Sequence, residues 1–193
     1  MDSLQRELLE ALKNPSDAKN QMSSKKLMFK VYRDKARLFA LKREEQNAHD
    51  SHKKAERILK EELVVASSSK KSLNQSMRME VSVKIAKLQL LKGLWISKFG
   101  FEKSIDEMME AYHLFSDAIG DEKNYFGANC QLEIGSNYLR LKNAADASAI
   151  LTLAVEILES IFGEDHPLIQ KYYNYSSEVY SYSNDHASML SMA

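Results

Sequence analysis

Residues 125–167 read YFGANCQLEIGSNYLRLKNAADASAILTLAVEILESIFGEDHP, and the reading of this stretch decides the fold. Apolar residues recur every three or four positions from Tyr125 to Leu141 and again from Ala144 to Phe162, the spacing of amphipathic helices. Asn143 interrupts the first run and Gly163 ends the second, each a residue type that stops or starts helices. Two helices joined by so short a turn lie antiparallel. Small residues, Gly135 in the first and Ala154 in the second, let such helices approach closely.

Working outward, the pair repeats. Gly93 precedes Gly135 by 42 residues, and Ser177 follows it by another 42, with Tyr180 matching Tyr138. In the second helices Ala111 matches Ala154, Phe115 matches Leu158, Ala118 matches Ile161 and Gly120 matches Gly163, all at an offset of 43. One residue therefore differs in the turn within a pair. A lone pair cannot bury its own apolar face, so the pairs are expected to stack.

The rest of the chain also reads as helix, with no strand pattern. A stripe of Leu4, Leu8, Leu9 and Leu12 marks a helix over 4–13, stopped by Asn14-Pro15-Ser16-Asp17. Further helices are expected at about 24–46, 52–66, 74–98, 101–119 and 167–183, with a turn at 47–51 and a linker at 67–72. The domain reading is 1–72 for N-terminal basic helices, a capping helix plus a diverged repeat, and 73–193 for the clear repeats, the last incomplete. Of 193 residues only 6 are Gly and 2 Pro, too few for a loop-rich fold, and 44% are apolar, too many for wholesale disorder. One cysteine excludes a disulfide framework and a paired-cysteine zinc site. No apolar run reaches the length of a membrane span, and the polar start Met1-Asp2-Ser3-Leu4 is no signal peptide. These features point to a cytoplasmic protein.

A net charge of zero conceals a polarised chain. Residues 1–100 hold 22 Lys and Arg against 12 Asp and Glu, whereas residues 101–193 hold 5 against 15. A basic half suits an acidic surface such as nucleic acid, anionic lipid or the acidic tails of tubulin, and an acidic half repels one. Equally, the two halves can complement each other within or between molecules.

The segment Ala154-Val155-Glu156-Ile157-Leu158-Glu159-Ser160-Ile161-Phe162-Gly163-Glu164-Asp165-His166-Pro167 resembles the tetratricopeptide repeat, in particular the roughly 42-residue variety of kinesin light chains. The match is clearest over 125–182, weaker over 78–121 and poor over 24–67. Gln131 stands where the family favours Trp, and Asp121-Glu122-Lys123 lacks the His-Pro step. The expected fold is therefore all-α, with antiparallel helix pairs stacked as a short tetratricopeptide-like right-handed solenoid.

The resemblance implies a concave face, built from the first helix of each pair, that binds other proteins or peptides. Carried onto this chain, the groove candidates are Lys87, Asn129 and Lys171 at one level, Asn174 a turn further on, and Lys98 and Arg140 at another. Such side chains pair with carboxylates and pin a peptide backbone, so an acidic extended peptide is the implied ligand. Tyr172, Tyr173, Tyr175 and Tyr182 are too many for one core face and become candidates for contact with a partner. No catalytic, cofactor-binding or metal-binding residues are expected. Phosphate-binding loops, zinc-protease and serine-hydrolase motifs are missing, and the basic half has neither the aromatics nor the arginine clusters of a nucleic-acid binder. His49 and His52 lack a third ligand and read as a surface turn, and Cys130 reads as a buried filler. The expected function is non-catalytic: a scaffold or structural subunit of a larger assembly, cytoskeletal or ciliary, or an adaptor for an acidic peptide.

Overall fold

The computed structural model describes residues 18–68 and 73–181, apart from 168, 171, 178 and 180. The expected 4–13 helix and the side chains of Lys171, Tyr180 and Tyr182 lie outside the described residues. Six helices follow in order: α1 (Ala18–Leu41), α2 (Glu45–Ser68), α3 (Leu73–Ile96), α4 (Phe101–Ile119), α5 (Tyr125–Arg140) and α6 (Ala144–Phe162). The described residues of 167–181 are helical again, and among the described residues there is no strand. The fold is all-α, with neighbouring helices packed in pairs. It divides into two compact units, Met1–Val81 and Ser82–Ala193.

In the first unit α1 packs on α2 through small side chains. Ala36, Ala40, Ala48 and Ala55 are buried, and Leu59 fills the space beside them. The turn between the helices corrects two sequence expectations. It lies at Lys42–Glu44, not at 47–51, and α2 already begins at Glu45. The cause is Arg43, which takes the left-handed conformation (φ 61°). There its N–H donates to the Ala40 carbonyl while Glu44 N–H donates to Phe39, closing α1. His49 and His52 consequently belong to α2, and His52 is 2% exposed, not part of a surface turn.

The second unit contains two apolar clusters. One joins Ala86 and Leu90 of α3, Met108, Ala111 and Phe115 of α4, and Cys130 and Ile134 of α5. The other joins Leu132 and Leu139 of α5, Leu151, Ala154 and Leu158 of α6, and Ile169 and Val179 beyond them. Each first helix touches its partner at a glycine. A Cβ on Gly93 would lie 2.5 Å from Met108 Cγ, and one on Gly135 would lie 2.6 Å from Leu151 Cγ. Met108 and Leu151 are themselves 43 residues apart, so the sequence offset corresponds to one recurring contact.

Burial in the second helices recurs likewise. Ser104, Met108, Ala111 and Phe115 of α4 are each at most 1% exposed, as are Ala147, Leu151, Ala154 and Leu158 of α6. The same small–large–small–large spacing is found in α2 at Ala48, His52, Ala55 and Leu59. The α5–α6 turn also copies the α1–α2 turn. Lys142 has φ 60°, its N–H donates to Leu139, and Asn143 N–H donates to Tyr138. Ala36 stands seven residues before Arg43, as Gly135 stands seven before Lys142.

Candidate functional site

The groove candidates fall at two levels of the second unit. Lys87 on α3 is exposed, and its Nζ lies 4.4 Å from the centre of the Phe126 ring. Phe126 is one helical turn before the half-buried Asn129, so α5 brings Lys87 and Asn129 to the same level. At the other end of α5, the exposed Arg140 lies over Phe101 at 5.4 Å. Phe101 opens α4 three residues after the exposed Lys98. Asn129 and Arg140 are eleven residues apart, about 16 Å along a helix. Asn174 is exposed in the last helical stretch. Both cations therefore set their charged groups over an aromatic face, a cation–π arrangement, while the residues remain exposed.

The starts of α5 and α6 are capped by side chains, whereas Gly100 before α4 offers none. Asn124 accepts from Gly127 N–H at 2.8 Å and donates through Nδ2 to the Asp121 carbonyl. Asn143 accepts from Asp146 N–H at 3.2 Å. Both groups are among the orphan donors of a helix start.

Of the tyrosines, Tyr172 and Tyr175 are partly buried against the second apolar cluster, and Tyr173 is half exposed. Rings run in a row from the first cluster to the surface. Phe115 stacks on Phe126 at 5.0 Å, Tyr125 touches both Phe126 and Phe162, and Phe162 stacks on His166 at 4.2 Å. Phe162 is 42% exposed, in the company of Leu153 at 53% and Ile161 at 44%. These three belong to α6, Leu153 and Phe162 on opposite sides of it, nine residues apart.

Two polar groups escaped the sequence reading. Ser104 Oγ is fully buried, donates to the Gly93 carbonyl at 2.7 Å and accepts from Asn137 Nδ2 at 2.9 Å, so one hydroxyl joins α3, α4 and α5. Gln89 Nε2 donates to Glu107 and Glu110, and Lys92 pairs with Glu107 at 2.5 Å. The signal for both was the contact partner across a turn, which no local pattern displays. Gln131 is 7% exposed, and its Oε1 has no hydrogen-bond partner.

Cys130 is fully buried, and burial pushes its thiol up to about 12, with the Glu133 carboxylate adding to the effect. It remains a neutral thiol at physiological pH and is no nucleophile. Among the described residues no group of three His, Cys, Asp or Glu side chains is placed to hold a metal ion. No described helix is long and apolar enough to cross a membrane.

Compared with protein-family models, with curated proteins and with solved structures, the chain matches none. Function therefore rests on the surfaces described above.

Proposed function

We propose that this chain is a non-catalytic protein–protein interaction module, a scaffold or structural subunit of a larger assembly, built as a short tetratricopeptide-like solenoid. The recurring Gly93–Met108 and Gly135–Leu151 contacts support the repeat reading. The observation that carries the functional reading is the set of exposed apolar side chains Leu153, Ile161 and Phe162 on α6 and Tyr173 in the helical stretch that follows. Large apolar side chains standing exposed in this way are suited to cover by a neighbouring chain. A cytoplasmic, cytoskeletal or ciliary setting suits the basic charge of residues 1–100.

The test is size analysis of the chain in extract of its native cell, followed by purification of what accompanies it. A subunit elutes in a complex of fixed stoichiometry, and Leu153→Asp with Tyr173→Ser releases it as a folded monomer. Elution of the unaltered chain as a free monomer would overturn the reading.

A second reading, an adaptor for an acidic extended peptide, draws support from Lys87 and Arg140, exposed cations whose charged groups are held over the Phe126 and Phe101 rings. Here a glutamate-rich peptide should bind in a salt-dependent manner, and Lys87→Ala with Arg140→Ala should weaken it about tenfold or more. Equal binding by the double variant would sink this alternative.

A further inference from the structure

We propose that the outer face of α1 is a docking surface for the outer face of α4 of a second copy of this chain. On α1, Lys26, Lys30 and Arg37 are exposed and share one helix face, at offsets of 0, 4 and 11 residues. None of the three makes an ion pair or hydrogen bond with another described residue. Arg33, on the same face, is already neutralised by Asp34 at 2.9 Å. Exposed leucines lie alongside the cations: Leu27 at 44%, Leu38 at 49% and Leu41 at 58%. This is a long stretch of unpartnered, mixed cationic and apolar helix.

The matching surface is on the same chain. On α4, Asp106, Glu110 and Asp117 are exposed at the same offsets of 0, 4 and 11 residues. Asp106 and Asp117 have no partner among the described residues, and Glu110 meets only the Gln89 amide. Met109 is exposed beside them at 37%. With the two helices parallel, Lys26 faces Asp106, Lys30 faces Glu110 and Arg37 faces Asp117. With them antiparallel, Lys30 faces His113 instead, and one of the three pairs is lost. Like faces repel, so α1 does not select α1, nor α4 another α4. The apolar side chains between the charges exclude water and strengthen pairs that would otherwise be weak at a surface. The contact is heterologous, the kind that links copies head to tail. This inference needs only the two faces and does not depend on the groove.

The experiment is sedimentation of the full chain across a concentration series at about 20 mM and about 300 mM salt, which bracket the screening of surface charge. Association is expected at low salt and about fivefold or more weaker at high salt. The variants Lys26→Glu with Lys30→Glu, and Asp106→Lys with Asp117→Lys, change exposed residues only, and circular dichroism confirms that they fold. Each alone should be monomeric, because its docking faces now carry like charge. Mixed, the two should associate again, since each then offers the face that the other lacks. A monomeric wild-type chain at every concentration, association that survives either reversal, or failure of the mixture to associate would each overturn the proposal.

Discussion

At Ser104 a single hydroxyl ties together a carbonyl of α3 and an amide of α5, in a place without water access. The equivalent position of the next pair is Ala147, so the site accepts an alanine sterically. Ser104→Ala therefore isolates the hydrogen bonds. It should cost about 1 kcal/mol, because the Gly93 carbonyl and Asn137 amide each lose one hydrogen bond while keeping Ser97 N–H and Met108 Sδ, and urea denaturation measures this. At Gln131 the sign reverses. Its buried Oε1 lacks a partner, so Gln131→Leu should raise stability by up to about 1 kcal/mol in the same assay. Cys130 predicts a pH effect. Below pH 9 the thiol is neutral in both folded and unfolded chains and contributes no slope. From 9 to about 12 the unfolded chain loses a proton that the folded chain retains, so stability falls as pH rises. Alkaline denaturation of Cys130→Ala should show a shallower decline over that window. Sequence reading identified Cys130 as buried because it sits in an apolar helix pattern. It missed Ser104 and Asn137 because polar residues at helical spacing look solvated until the neighbouring helix is known.

Among the elements, the contacts at the two glycines set the distance between helices. Gly135→Ala places a methyl group within 2.6 Å of two Leu151 carbons, so α5 and α6 must separate or Leu151 must move. A loss of about 1–3 kcal/mol is expected. Leu151→Ala in the same chain should offset part of it, so that the double variant is more stable than the sum of its parts predicts. Thermal unfolding of the four proteins checks this. Helix ends were legible where chemistry marks them. Phe101–Ile119 and Ala144–Phe162 match expectation at both ends, because Gly120, Asn143 and Gly163 announce the breaks. The α1–α2 turn was not legible. Its left-handed residue is Arg43, in a run of charged residues that a helix would accept as readily. The candidate groove was legible only as a row of positions. That Lys87 meets Phe126 and Arg140 meets Phe101 depends on packing across 39 residues in each case, beyond any local pattern.

For the whole molecule, charge asymmetry is the property with the widest reach. A chain of zero net charge with a basic first half and an acidic second half has little long-range repulsion to keep copies apart. Light scattering should therefore show solubility rising with added salt, the reverse of the trend when apolar surface dominates. The exposed apolar side chains of α6 work in the opposite direction, and Leu153→Asp should steepen the salt response by reducing that component. One further consequence comes from the lone thiol. Cys130 sits where α3, α4 and α5 meet, it has no second cysteine to react with, and in its closed state it is out of reach of reagents. Its rate of modification by a thiol-specific dye is thus a stopwatch for the breathing of that seam. Compared between the free chain and its assembled form, that one rate reports from the interior whether a neighbour has clamped the helices shut.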